Sequence, residues 1–96
     1  MDDQIWITTG GSRIWLDGAK VFVRNEHVGR TTHFPITRMT NSPHIEEKEG
    51  KYMVLMQEGL LYKTNLGSYA ARDVANTLVE AIKKKIIEVR QKGTKI

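Results

Sequence analysis

The segment Gln4–Arg24 reads QIWITTGGSRIWLDGAKVFVR. Ile5-Trp6-Ile7 is echoed by Ile14-Trp15-Leu16, and both tryptophans of the chain lie here. Apolar residues alternate with polar ones, and Gly10-Gly11 and Asp17-Gly18 interrupt the alternation. This pattern predicts three short strands joined by tight turns, because glycine accepts positive φ without a Cβ clash. With Gly10-Gly11 as a two-residue loop, Ile7 faces Ile14, Trp6 faces Trp15 and Ile5 faces Leu16. With Asp17-Gly18 as the second loop, Leu16 faces Ala19, Trp15 faces Lys20 and Ile14 faces Val21. Strand alternation then sorts the side chains onto two faces. One carries Ile5, Ile7, Ile14, Leu16, Ala19, Val21 and Val23 and is expected to be core. The other carries Gln4, Trp6, Thr8, Arg13, Trp15, Lys20, Phe22 and Arg24. The assignment depends on loop parity, since one extra loop residue turns a strand over.

Outward from this hairpin series, the period-two pattern continues. A fourth strand is expected over Arg30–Met39, where Pro35 marks an edge strand or a bend. Asn41-Ser42-Pro43 reads as a loop and Ile45–Glu47 as a short strand. Lys51–Met56 is apolar on both faces, as a central strand covered on both sides would be. Gln57-Glu58-Gly59 turns the chain into a strand over Leu60–Thr64. After Asn65 the period changes to 3.6: Ala71, Val74, Ala75, Leu78, Val79, Ile82, Ile86 and Val89 form one amphipathic stripe. Ser68 is the expected N-cap, Asp73 suits the positive end of the dipole, and Gly93 follows the last periodic residue. The organisation expected is one domain, 1–96, with strands over 4–64, a helix over 68–91 packed along Val74, Leu78, Ile82, Ile86 and Val89, and a short basic tail, 92–96.

The totals bound the function. Ninety-six residues with 40% hydrophobic and 27% charged side chains make an ordinary globular composition. No apolar run approaches the ~20 residues of a membrane span. The start, Met1-Asp2-Asp3-Gln4, is unlike a signal peptide, and the absence of cysteine agrees with a cytoplasmic address. A net charge of +4 gives mild attraction toward polyanions.

The face of Trp6, Arg13, Trp15, Lys20, Phe22 and Arg24 interleaves three rings with three cations. Rings stack on bases and cations hold phosphates, which is the chemistry of a single-stranded nucleic-acid platform. The same side chains also pack on one another by cation–π contact, or under a partner subunit. Lys83, Lys84 and Lys85 add charge near the end of the helix, as an auxiliary basic patch or a solvated turn. His27, His33 and His44 lack the spacing of metal ligands, and Glu46, Glu47 and Glu49 read as a solvated turn. No phosphate loop, nucleophile elbow or catalytic carboxylate pair is legible. The expectation is therefore a non-enzymatic protein with no cofactor, no metal and no small-molecule substrate.

The hairpin series from Ile5 to Val23, the strands Tyr52–Met56 and Leu60–Thr64, and the helix Ser68–Gln91 together resemble the pleckstrin-homology-like (PH-like) domains at the level of element pattern. The resemblance implies an adaptable, usually protein-binding scaffold. It carries over no lipid-binding residues, because the basic loop of the phosphoinositide-binding members has no counterpart in Gly10-Gly11 or Asp17-Gly18. The ring-and-cation face with a closing helix is also similar in kind to the Whirly and transcriptional-coactivator group, which presents a curved sheet to single-stranded DNA.

The fold class expected is α+β: an antiparallel sheet or partly closed barrel of about six or seven short strands packed by one C-terminal helix. Nucleic-acid binding through the aromatic–basic face is the first functional expectation. A PH-like protein-interaction module or homodimer scaffold is the second.

Overall fold

A computed structural model of the chain describes residues 4–36, 43–58 and 62–94. Its elements run β1 (Trp6–Ile7), β2 (Arg13–Asp17), β3 (Lys20–Asn25), β4 (Arg30–Pro35), β5 (His44–Lys48), β6 (Lys51–Glu58), β7 (Tyr62–Tyr69) and α1 (Arg72–Thr94). All strand pairings are antiparallel, in a four-stranded sheet β1-β2-β3-β4 and a three-stranded sheet β5-β6-β7. The fold is α+β as expected. Among the described residues no strand pairing closes the two sheets into a barrel.

The first hairpin departs from the expected register. Trp6 opposes Ile14 and Ile7 opposes Arg13. The loop between the strands holds three residues, Thr9-Gly10-Gly11. Gly11 N–H donates to the Thr8 carbonyl at 3.0 Å, and Thr8 N–H donates to the Ser12 carbonyl at 2.9 Å. Gly11 sits at φ +85°, the left-handed residue with which three-residue hairpin loops end. The Thr8 hydroxyl accepts the Ser12 N–H at 3.0 Å and fixes the turn. An odd loop turns β1 over relative to β2. Trp6 therefore joins Ile14 in the interior at 4% exposure, while Ile5 and Ile7 face solvent at 51% and 63%. The expected pairing of Trp6 with Trp15, and the burial of Ile5 and Ile7, are both corrected.

The second hairpin keeps its expected faces with a different turn. Gly18-Ala19 is the loop, with Gly18 at φ +59° in the leading position that favours glycine. Asp17 then opposes Lys20 and Ile14 opposes Val23. The shift moves each partner by two positions, so Ile14, Leu16, Val21 and Val23 still share one face. Pro35 is the last residue of β4, an outer strand, where its missing N–H removes no ladder bond. Met39, Asn41, Ser42, Gly59, Leu60 and Leu61, with which the sequence extended β4, its loop and the last strand, lie outside the described residues.

β6 is the central strand of the second sheet, and Val54, Leu55 and Met56 are all buried in succession. β7 extends to Tyr69 rather than ending at Thr64. Between Met53↔Ser68 and Leu55↔Asn65 the register slips by one, so Leu66 and Gly67 together stand opposite Val54 in a β-bulge. The Asn65 side chain accepts the Gly67 N–H at 2.7 Å. The bulge brings β7 against the first hairpin: Thr9 N–H donates to the Ser68 carbonyl at 2.9 Å, and the two hydroxyls meet at 2.8 Å. Ser68 is thus spent on strand pairing and cannot cap the helix. The helix begins at Arg72 instead, with the Ala71 carbonyl accepting the first helical bond from Ala75 N–H. At the other end the helix runs through Gly93 to Thr94, because a C′ glycine signal fixes a helix end only to within a residue or two. Lys95 and Ile96 of the expected tail lie outside the described residues.

The core joins both sheets and the helix: Trp6, Ile14, Val21, Ile36, Val54, Met56, Leu66, Tyr69, Ala75, Leu78, Val79 and Ile82. The buried stripe of α1 is Ala75, Leu78, Val79 and Ile82, with Ile86 packed partly against it, whereas Val74 is 39% exposed. Trp6 Nε1–H donates to Thr77 Oγ1 at 2.8 Å and ties β1 to the helix. The Arg72 guanidinium lies 5.9 Å from the Tyr52 ring centroid and fastens the helix start to β6.

Tyr69, 1% exposed, donates its hydroxyl to the Leu66 carbonyl at 2.9 Å. Burial pushes its phenol well above the ordinary value of 10.0. The folded state then holds a proton that the unfolded state releases, so stability falls as pH rises above about 10. Tyr69 is expected to ionise only on unfolding. Absorbance of tyrosinate during alkaline titration should rise together with loss of far-UV dichroism for this residue, and Tyr69→Phe should remove that cooperative step. Early, non-cooperative ionisation of all three tyrosines would contradict its burial.

Candidate functional site

The outer face of the first sheet is built by the Gly18-Ala19 turn. With Asp17 opposite Lys20, Trp15 stands opposite Phe22 and Arg13 opposite Arg24. β4 then places His33 beside Phe22 and Thr31 beside Arg24. Trp15 and Phe22 stack with centroids 5.4 Å apart and planes 5° from parallel, and His33 tilts against Phe22 at 5.6 Å. The three rings form one row across three strands. One side of the Trp15 ring is taken up by Phe22.

Trp15 also lines a groove of about 780 Å3, bordered from the sheet by Arg13 and Arg24 and from α1 by Ala81, Lys84, Lys85 and Glu88. Its size is that of a small-ligand site. Positions 81, 84, 85 and 88 share one helix face by the three- and four-residue spacing, which is why two lysines reach it together. Four cations border the groove against the carboxylates of Asp17 and Glu88, so its balance is positive. Lys85 Nζ lies 3.6 Å from Glu88. Trp6, Ile5 and Leu16 complete the lining near the strand edge.

Arg13 and Arg24, directly opposite each other, would repel. Glu26 offsets this: its Oε1 lies 3.3 Å from the Nε of both arginines. Arg24 Nη1 also donates to Thr31 Oγ1 at 3.2 Å. The carboxylate is held over the pair by its turn. His27 N–H donates to Asn25 Oδ1 at 3.0 Å, and His27 Nε2 lies 3.0 Å from the Gly10 carbonyl, linking the β3–β4 turn to the first hairpin loop.

Of the residues chosen from sequence, Arg13, Trp15, Lys20, Phe22 and Arg24 share one face as expected. Trp6 does not: the odd hairpin loop places it in the core. Lys84 and Lys85 join the groove, whereas Lys83 turns to Glu80 at 3.8 Å. His33 enters the sequence reading only as a rejected metal ligand, and Glu26 escapes it. The β3–β4 pairing that brings His33 to Phe22 is long-range, and Glu26 meets the arginines only once the Gly18-Ala19 register sets them opposite each other. His44 pairs with Glu46 at 2.9 Å, at the far sheet. Among the described residues no group of histidines and carboxylates could hold a metal ion, and no helix is long and apolar enough to cross a membrane. Comparison with known protein families, with characterised proteins and with solved structures finds no match to this chain.

Proposed function

We propose that the protein is a non-enzymatic binding module that takes single-stranded nucleic acid along the outer face of its first sheet. The observation that carries this reading is the convergence, from β2, β3 and α1, of Arg13, Arg24, Lys84 and Lys85 on a groove that Trp15 also lines. A base stacks on Trp15, and the flanking phosphates meet the cations on either wall. Phe22 and His33 back the indole and hold it upright, which lowers the entropy lost on stacking.

The test is a fluorescence titration with a mixed-sequence single-stranded oligonucleotide. Trp6→Phe leaves Trp15 as the reporter. Its emission is expected to quench on titration at low salt, and log Kobs is expected to fall with log[salt] with a slope of about −2 to −3, from roughly 0.7 per phosphate contact. Trp15→Ala should weaken binding by about 1–3 kcal/mol, the value of one stacked base. Emission that ignores the oligonucleotide at low salt overturns the proposal.

A second reading, a PH-like protein-interaction module or homodimer, draws support from the seven antiparallel strands and closing helix found among the described residues and from the strand edge. Among the described residues β1 pairs with Ile14 and Arg13 of β2 alone, and its Ile7 and the adjoining Ile5 are exposed. Such an edge accepts an added strand. Association that persists at high salt, without response to oligonucleotide, would favour this reading.

A further inference from the structure

We infer that Arg13 and Arg24 form the phosphate seat of this groove and that Glu26 occupies it as a displaceable stand-in for phosphate. The inference rests on the nucleic-acid reading above and deepens it. Two guanidinium groups on adjacent strands converge on a single carboxylate oxygen at 3.3 Å each. One oxygen shared by two arginine Nε–H donors is the contact an oxyanion of a phosphodiester makes, and guanidinium forks suit phosphate as well as carboxylate.

Glu26 is placed there by its turn rather than by packing. The Asn25 side chain and the His27–Gly10 link hold the backbone, while the glutamate side chain remains 37% exposed. The arginine side chains are 55% and 43% exposed, so solvent and ligand reach them. An incoming phosphate has only to swing one exposed side chain aside. Surface ion pairs of this kind are weak, so the carboxylate lowers affinity without blocking the site. Glu26 thereby keeps two like charges compatible in the free protein and sets the threshold for anion binding. The ligand class is a phosphodiester or phosphate group attached to an aromatic base, with the base on Trp15.

The experiment compares wild type, Glu26→Gln, Arg13→Gln and the double variant. One arm titrates the oligonucleotide over a range of salt concentrations. The other follows the arginine Nε–Hε signals by NMR during addition of inorganic pyrophosphate. Glu26→Gln is expected to bind the oligonucleotide about three- to tenfold more tightly at low salt, by removal of two surface ion pairs, and to steepen the salt slope by about 0.7, one phosphate contact. Arg13→Gln should cost more affinity in the Glu26→Gln background than in the wild type. Pyrophosphate should shift the Arg13 and Arg24 signals, at lower concentration in Glu26→Gln. Glu26→Asp, which keeps the charge but shortens the reach, should show a smaller gain and serves if Glu26→Gln does not fold.

If the oligonucleotide binds and Trp15→Ala weakens it, but a folded Glu26→Gln or Glu26→Asp binds neither ligand more tightly, the seat is overturned and the module stands. If no variant binds the oligonucleotide while pyrophosphate shifts both arginines more readily in Glu26→Gln, the seat stands and the nucleic-acid reading falls.

Discussion

Trp6→Ala is expected to lower stability by about 3–5 kcal/mol, the usual cost of removing a large buried aromatic side chain. Trp6 is 4% exposed and packs with Ile14 across the first hairpin, and its indole N–H reaches Thr77 Oγ1 on α1 at 2.8 Å. It is the point where the first strand, the first sheet and the helix meet. A domain of this size is stable by about 5–15 kcal/mol in total, so the variant should be marginal or unfolded at room temperature by urea titration. Trp6→Phe keeps most of the ring volume and loses the hydrogen bond, with an expected loss of about 1–2 kcal/mol. Thr77 Oγ1 still donates to the Val74 carbonyl at 2.7 Å, which limits that loss. Should Trp6→Ala cost less than about 1 kcal/mol, as surface substitutions do, Trp6 would lie outside the core and the three-residue loop would be wrong. Trp15→Ala in the same assay should cost much less, because Trp15 is only half-buried.

Gly67→Ala carries the second large effect, about 2–5 kcal/mol of destabilisation, from two sources. Gly67 sits at φ +98°, where an L side chain is strained by roughly 1–2 kcal/mol. A Cβ there would also press into Thr8 Cγ2 and approach Ile14 Cδ1 at 3.4 Å, and overpacking of this kind costs about 1–3 kcal/mol. The neighbour cannot withdraw freely, because Thr8 holds the loop through its hydroxyl and Thr9 is bonded to Ser68. Thr8→Ser removes the methyl while keeping the hydroxyl, so it should be nearly neutral alone. In the Gly67→Ala background it should recover part of the steric loss and none of the backbone strain. Urea denaturation of the four proteins of this cycle gives the coupling directly. Additivity across the cycle would show that β7 does not approach the first hairpin at Thr8.

Gly67 lies at the junction of the two sheets, Trp6 where the first sheet meets α1, and the groove between the first sheet and α1. Trp6 supports one end of the groove, and the loop fixed by Thr8 and Thr9 receives His27, which in turn positions Glu26 over the arginines. Packing at the junction and charge placement at the groove are therefore linked through the first hairpin loop. On the proposed phosphate seat, a variant that loosens the loop should lower stability and, by freeing Glu26 from the arginines, tighten anion binding.

The class and most of the elements are legible in the sequence, because those signals are local. Period-two alternation placed Ile14, Leu16, Val21 and Val23 on one face and Arg13, Trp15, Lys20, Phe22 and Arg24 on the other. That assignment is the same for either turn at Asp17-Gly18-Ala19, since both hold two residues and preserve parity. Apolar residues on both faces of Lys51–Met56 marked the central strand, and the change of period after Asn65 marked the helix. The first hairpin is set by long-range contacts instead. Gly10-Gly11 fits a two-residue loop or the end of a three-residue one, and the local preferences are nearly balanced. The balance is tipped from outside the hairpin: β7 takes the Thr9 N–H through Ser68, and the core takes the Trp6 ring with Thr77 accepting its N–H. The same long-range contact withdrew Ser68 from the helix cap. Where one extra loop residue turns a strand over, burial of a tryptophan outweighs turn preference, and burial depends on residues about seventy positions away.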